Sequence, residues 1–332
     1  MTAEPVAAPR SGFPNFKKIV FIVNPHSGNG ATGREWPRIQ TAAKARLGTT
    51  LTSFLTSGPG DATRMARSHL LDGADVIVCV GGDGTLNEVV NGFMDEDGPI
   101  RKDALLGFIP NGTGCDFVKT VPIPRRLEES LDTIQQGHAC LIDLGRLRYR
   151  SHHDAPATRY FHNITSFGLG GEVDARVNRT TKAFGPFISF IWSTLIAILL
   201  YGKKTIRLKI DNNYDKEIKI WNVAVANGQY HGGGMRVAPE AVIDDGVFHI
   251  TVIGDLSLAG VFRHLPKLYN GKIHEIKEVS CLTGKKVEAF SQEPVLLDVD
   301  GEQPGSLPIA IDIMPSALRV IMKNPASQGC HA

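Results

Sequence analysis

The sequence predicts an α/β protein. A doubly wound parallel sheet forms the N-terminal part, and a mainly antiparallel, β-sandwich-like second part carries inserted helices. Up to about residue 144, short β-branched runs alternate with stretches of helical periodicity, the pattern of βαβ units. Beyond that point short runs, many of them alternating, follow one another with few helices between, which suits antiparallel pairing. The length of 332 residues fits two domains at roughly 100–200 residues each. The expected divisions are a tail over 1–15, a first domain over 16–144 and a second over 145–324 whose last segments pack back on the first.

Lys17–Val23 is an apolar run suited to a buried strand, and Trp36–Leu47 has helical spacing. Thr50–Leu55 reads as a strand, after which Asp61 is placed to cap a helix ending near Gly73. Asp75–Val80 is a β-branched strand. Leu86, Val89, Val90 and Phe93 then recur at i, i+3, i+4 and i+7, one face of a helix. Ala104–Ile109 is the next strand, and Leu127, Leu131 and Ile134 mark a helix stopped by Gly137. The second part offers strands at Thr205–Ile210, Glu217–Ala226, Val247–Ile253, His274–Leu282, Lys285–Phe290, Val295–Val299 and Ala310–Met314, with helices near 172–201 and 257–269.

Composition excludes several classes. A net charge of +2 with no basic stripe argues against a nucleic-acid partner. Cys79, Cys115, Cys140, Cys281 and Cys330 are odd in number and form no CxxC pair. A disulfide framework or zinc site is not expected, and a reducing, cytoplasmic setting is. Met1–Pro14 lacks the apolar core of a signal peptide. Phe187–Tyr201 is uncharged and mostly apolar, flanked by Arg179, Lys182, Lys203 and Lys204, but falls short of the ~20 residues a spanning helix needs. It reads as a buried or interfacial helix.

Glycine stands out at 35 residues, about 10.5% against a usual ~7%. Its places decide its meaning. Asn24–Gly33, Val80–Glu88 and Gly107–Phe117 are glycine-rich loops between a strand and a helix, the crevice where open α/β sheets bind ligands. Backbone N–H groups at such junctions suit phosphate. Gly28, Gly30 and Gly33 spell GxGxxG, but four residues separate the motif from its strand and Thr50–Thr56 holds no acidic residue, so a dinucleotide site is rejected. No GxxxxGK[ST] or protein-kinase signature is present.

Asn24-Pro-His-Ser-Gly28, Gly81-Gly-Asp-Gly-Thr-Leu-Asn-Glu88 and Pro110-Asn-Gly-Thr-Gly114 together resemble the catalytic domain of the diacylglycerol kinase superfamily. More closely, the chain resembles the soluble bacterial diacylglycerol kinase-like lipid kinases, kin to sphingosine and ceramide kinases, from Lys17 to Met322. The GGDGT element alone is shared with NAD kinases. The resemblance implies ATP contacts at Asn24, Pro25, His26, Ser27, Gly28, Thr56, Gly82, Asp83, Gly84, Thr85, Leu86, Asn87, Glu88 and Thr113. It implies a structural Mg²⁺ loop in Ala238–Val247, held by the Asp245 carboxylate and the carbonyls of Val242 and Val247. Leu297–Glu302 resembles the family's DGE segment, whose glutamate, here Glu302, accepts a proton. Cys115 departs from the asparagine usual at its position.

A lipid hydroxyl is a poor nucleophile and needs a carboxylate to align it. Glu302 is the expected base, with Asp300 and Asp83 sharing metal and orientation roles. Asp300 and Glu302, two apart on an extended segment, are expected to share a face. The expected acceptor is diacylglycerol, met by a peripherally attached enzyme at a membrane surface. Other lipids and an NAD kinase-like soluble acceptor are the alternatives. Pairing of two copies is left open.

Overall fold

The computed structural model describes residues 16–48, 51–179, 196 and 198–324. The expected tail over 1–15 and most of the apolar segment 187–201 lie outside the described residues.

The N-terminal strands β1 (Ile19–Val23), β2 (Thr52–Leu55), β3 (Val76–Gly81) and β6 (Leu105–Pro110) are parallel, in the order β2-β1-β3-β6. The short β4 (Met94–Asp95) and β5 (Gly98–Pro99) form a separate hairpin. Both sheet faces are covered, which is why β1 and β3 are continuous apolar runs. Helices α1 (Ala31–Leu47) and α5 (Leu127–Gln136) bury Trp36, Ile39, Leu131 and Ile134 against Phe21 and Val78 on one face. On the other, α2 (Asp61–Leu71) and α3 (Asp83–Phe93) bury Ala66, Leu70, Val89 and Phe93 against Val20, Ile22 and Ile77. The short α4 (Phe117–Thr120) follows the third glycine loop.

The sheet does not stop there. Strand β19 (Gly305–Ile321), seventeen residues from the far end of the chain, pairs parallel with β6 through Arg319 and Val320 and antiparallel with β7 (Ala139–Ser151) along its length. β8 (Pro156–Phe161) continues from β7, and β17 (Lys286–Phe290), β10 (Lys204–Ile210) and β11 (Tyr214–Ile220) extend the sheet on the other side. A second, five-stranded antiparallel sheet has the order β16 (Val279–Gly284), β15 (Phe248–Ile253), β12 (Asn222–Ala226), β9 (Ile164–Gly168), β18 (Leu297–Val299). Phe161, Phe167, Leu208, Ile220, Val225, Phe248 and Ile311 pack between the two sheets, a sandwich core.

Four local expectations are corrected. The run Glu217–Ala226 is two strands in different sheets, β11 and β12. Trp221 stands between them, buried, with its indole N–H donating to Leu256 O at 2.8 Å. His274–Leu282 begins as a 3₁₀ turn (Ile273–Glu275) and becomes a strand only at Val279. Asp61 does not cap α2. The cap position is Gly60, and the Asp61 carboxylate instead accepts from Ser57. Lastly, Asp300 and Gly301 are not extended. With φ of 50° and 87° they form the two-residue turn of a hairpin in which Val299 and Glu302 exchange backbone hydrogen bonds at 2.8 and 3.1 Å.

Among the described residues no helix is long and apolar enough to cross a membrane.

Candidate active site

The three glycine loops meet at the C-terminal ends of β1, β3 and β6 and are bound to one another. Asn24 Nδ2 donates to Thr85 Oγ1 at 2.9 Å, and Ser27 and Thr32 hydroxyls donate to Asn111 O at 2.8 and 3.0 Å. The loops touch backbone to backbone: a Cβ on Gly112 would stand 2.5 Å from Gly82 Cα. Only glycine permits that approach, and it is what brings backbone N–H groups from separate loops around one space.

That space is a cavity of about 470 Å³. Of the residues expected to contact ATP, its walls include Asn24, His26, Ser27, Gly28, Thr56, Gly82, Gly84, Thr85, Glu88 and Thr113. Glu302 joins them, arriving on the hairpin after β18. The others are placed differently. Pro25 packs under Gly33, and Leu86 is buried in the core. Asn87 is buried as well. Its Nδ2 donates to Tyr160 O and Asp300 Oδ2 at 3.0 and 2.8 Å, while its Oδ1 accepts from Arg159 at 2.7 and 2.9 Å. Glu88 also serves the fold, its oxygens accepting the N–H groups of Gly60 and Ala62 at the start of α2.

A second cavity, about 540 Å³, opens into the β-rich half and shares Thr113 with the first. Its body is apolar: Leu169, Trp221, Leu256, Leu265, Leu268, Ile273 and Ile276 are among its walls. Its polar groups include Asp83, Asp116, His231, Asp298 and Asp300. The Leu258–Tyr269 helix forms part of this wall although none of its residues is buried, and Leu258, Phe262 and Tyr269 are exposed.

The three carboxylates named from sequence have different surroundings. Asp83 Oδ2 accepts from Asp116 N at 3.1 Å. Burial, with the Asp116 charge adding to it, pushes the Asp83 carboxyl above the ordinary range. Glu302 lies over Gly84, where an added Cβ would meet its Oε1 at 2.8 Å. Withdrawal from bulk water raises its carboxyl, the Arg159 charge opposes this, and the charges of Glu88 and Asp298 reinforce it. Asp300 is buried away from the nucleotide cavity. It accepts from Asn87 Nδ2 and the backbone N–H groups of His162, Asn163 and Ile164 at 2.8–3.2 Å, with His162 Nδ1 at 2.9 Å. The turn at Asp300-Gly301 therefore sends Asp300 inward and Glu302 into the cavity, and the two do not share a face.

The loop with Val242, Asp245 and Val247 stands elsewhere, beside β7. Asp143 N donates to Ile243 O, and Gly246 N donates to Asp143 Oδ2, both at 2.7 Å. Asp245 Oδ1 accepts from Val247 N at 3.1 Å, and Oδ2 lies 3.3 Å from His249 Nε2. Burial raises the Asp143 carboxyl, and the charges of Asp245 and Asp244 add to that. Among the described residues no three His, Cys, Asp or Glu side chains converge as a metal set. A cation here would draw on the Asp245 carboxylate and backbone carbonyls, hard oxygen donors close to the further carboxylates of Asp143 and Asp244, which fits Mg²⁺.

Sequence reasoning missed Arg159, His162, His231 and Asp298. Arg159 and His231 stand on short strands and His162 in the link between β8 and β9, with no motif around them, while Asp298 lies in the DGE segment but was not singled out. Asp116 was passed over for a similar reason. Its Oδ1 pairs with Lys119 at 2.6 Å, but its Oδ2 accepts from Gly233 N at 2.7 Å, a contact between the halves of the chain. Cys115, buried with φ of +48°, has its thiol pushed up to about 11 by burial.

Comparison with known proteins agrees with this geometry. Residues 18–147 match the diacylglycerol kinase catalytic domain, and residues 163–322 match the YegS C-terminal NAD kinase beta sandwich-like domain. A diacylglycerol kinase of Staphylococcus aureus (strain bovine RF122 / ET3-1) is 30% identical over 296 residues, 88% of either chain. One from Staphylococcus carnosus (strain TM300) is 28% identical over 294 residues, 88% of this chain and 90% of the relative. For the fold, a crystal structure of a diacylglycerol kinase from Bacillus anthracis str. Sterne superposes with TM-score 0.67 at 21% identity, over 94% of this chain and 99% of that one. Yeast NADH kinase complexed with NADH shares the fold at TM-score 0.55 and 13% identity, over 96% of this chain and 89% of that one. The loops, the second cavity and these relatives converge: the chain belongs to the diacylglycerol kinase family and is a lipid kinase.

Proposed function

We propose that the protein transfers the γ-phosphate of ATP to the primary hydroxyl of diacylglycerol, giving phosphatidic acid. The observation that carries this reading is the pair of cavities sharing Thr113, one ringed by glycine loops and the other lined by apolar side chains. A soluble nucleoside acceptor has no use for the second. The glycine-loop N–H groups hold the ATP phosphates, and the helix dipole of α3 favours their charge. Glu302 aligns the lipid hydroxyl and takes its proton as the new O–P bond forms to the γ-phosphorus, while the bond from that phosphorus to the β–γ bridging oxygen breaks and ADP leaves. Asp83, at the polar end of the apolar cavity, orients the acceptor. Mg²⁺, when bound, supplies charge neutralisation at the phosphates and, at the Asp245 loop, rigidity. The acceptor lives in a bilayer, so the enzyme works attached peripherally to one.

The test is incubation of the protein with γ-labelled ATP, Mg²⁺ and dispersed diacylglycerol, ceramide, sphingoid base or phosphatidylglycerol, with NAD as the soluble control. Label is expected in phosphatidic acid; label in another product alone would overturn the assignment of the acceptor.

Removing the metal gives a second expectation. Mg²⁺ is expected to raise the Tm of the wild-type protein by a few degrees through binding to the folded state, and Asp245→Ala is expected to abolish that rise. Equal shifts in both proteins, read by differential scanning fluorimetry with and without EDTA, would take Asp245 out of the metal site.

A further inference from the structure

The Leu258–Tyr269 helix is formed and capped, yet the fold buries none of its twelve residues. Ser257 Oγ accepts from Gly260 N at 3.1 Å and fixes its start. Val261, His264 and Leu268, at i, i+3 and i+7, line the apolar cavity. Leu258, Phe262, Leu265 and Tyr269, at i, i+4, i+7 and i+11, make a second apolar stripe beside them. Leu265 lines the cavity, but Leu258, Phe262 and Tyr269 are exposed. The apolar arc is therefore wider than the part that packs on the protein. Ile198 lines the same cavity, and the two residues after it, Leu199 and Leu200, are exposed as well.

The opposite side of the helix is basic. Arg263 and Lys267 share it, and the helix holds no acidic residue. From Leu258 to Glu278 four cations, Arg263, Lys267, Lys272 and Lys277, stand against Glu275 and Glu278. Glu275 pairs with Lys267 at 3.1 Å, and Asp255, ahead of the helix, pairs with Lys203. The surface around the stripe keeps a positive balance.

An exposed apolar stripe flanked by cations is the pattern of a helix that lies in the interface of an anionic bilayer. Its position supplies the second reason. An acceptor with two acyl chains reaches the cavity from a membrane, and this helix stands between the cavity and the exposed stripe. We propose that the Leu258–Tyr269 helix docks the protein on an anionic bilayer, with Leu258, Phe262 and Tyr269 entering the acyl boundary and Arg263 meeting lipid phosphates. So docked, Val261 and Leu268 stand next to the acyl layer, and the acceptor enters without its chains crossing water. A second copy of the chain would cover the same stripe, but two-fold pairing sets the cations of one copy near those of the other. The inference rests on the lipid-kinase reading of the site and adds the surface through which that site meets its substrate.

The experiment is flotation of the protein with vesicles of phosphatidylcholine alone or mixed with phosphatidylglycerol, without nucleotide or diacylglycerol. The wild type is expected to favour the anionic vesicles. Phe262→Glu is expected to lower binding to them about tenfold or more, by withdrawing an apolar ring and adding a like charge. Arg263→Gln is expected to lower it about fivefold, the weight of one basic residue near an anionic surface. Leu71→Glu is the control: Leu71 lies on α2 and is 69% exposed against 38% for Phe262, and its replacement is expected to leave binding unchanged. Phe262→Glu is also expected to raise the KM for diacylglycerol in vesicles but not for a short-chain diacylglycerol dispersed as monomers. Wild-type binding in Phe262→Glu, no binding of the wild type, or no preference for anionic vesicles overturns the inference. So does a wild-type oligomer that Phe262→Glu dissociates with vesicle binding unmoved, which makes the stripe an interface between copies. An equal rise in KM for both acceptors overturns it too, because Phe262 then belongs to the acceptor site. Vesicle binding is read without turnover, so a protein that docks as expected but phosphorylates no diacylglycerol upholds the inference and overturns only the acceptor.

Discussion

Glu302→Gln is expected to lower kcat by about 10²–10⁴-fold, the usual contribution of a positioned general base, while ATP still binds. Glutamine keeps the shape of the side chain over Gly84 but loses the negative charge and the ability to accept a proton. The pH profile adds a second check. Because burial raises the Glu302 carboxyl, the wild type is expected to lose activity on acidification at a pH above the ordinary glutamate value, as the base becomes protonated. The sign for stability runs the other way. A carboxyl with a raised folded-state pKa contributes stability that is fully present below the unfolded value and lost as pH rises through the folded one. Glu302 is more than a third exposed, so solvent screens that effect and Glu302→Gln is expected to leave the Tm near the wild-type value. Single-turnover assays with calorimetric ATP titration decide the matter: a near-wild-type rate removes Glu302 from its role, and lost ATP affinity makes it a binding residue instead.

The parts of this site that could be read from sequence are those whose chemistry is local. Gly28, Gly82 and Gly112 announce themselves because a phosphate loop needs small residues next to a strand end and a helix start, all within ten residues. The parallel order of β1, β3 and β6 follows from the same strand–helix alternation. What could not be read is set by pairing across the chain. Asp300 was expected to stand beside Glu302, yet the Asp-Gly dipeptide at 300–301 makes a tight turn in which both residues take positive φ, and that reverses the direction of one carboxylate. The turn signal was present in those two residues, and the apparent strand around them outweighed it. His162 carries no signal of its role: an isolated histidine between β8 and β9 and an asparagine in α3 both reach Asp300 only when β9 and β18 pair and α3 packs against β8. The family resemblance implies a nucleotide contact for Asn87, two residues past the GGDGT run, but its side chain faces the opposite side of α3 from Thr85, toward the junction of the two halves.

That junction gives the second large effect: Asp300→Asn is expected to destabilise the protein by roughly 1–3 kcal/mol at pH 7, the scale for leaving a buried hydrogen-bonding group unsatisfied. Asn87 Nδ2 and the N–H groups of His162, Asn163 and Ile164 all direct polar hydrogens at the Asp300 carboxylate, and the His162 ring nitrogen Nδ1 lies 2.9 Å away. An amide brings a donor into a ring of donors, so at least one N–H loses its acceptor and faces the new NH₂ group. Burial alone would raise the Asp300 carboxyl, but the His162 charge and these hydrogen bonds outweigh it and hold it below the usual aspartate value. With a depressed folded-state pKa, the stabilisation is present above the unfolded value of about 3.9 and is lost as pH falls through the folded one. The gap between wild type and Asp300→Asn in urea titrations is therefore expected to be widest near neutrality and to close below about pH 4. Because Asp300 sits at the start of the turn that carries Glu302, kcat is expected to fall with stability even where the variant remains folded, and the KM for ATP to change less. Equal urea midpoints at pH 7 would show that the ring of donors contributes nothing to holding the two halves together.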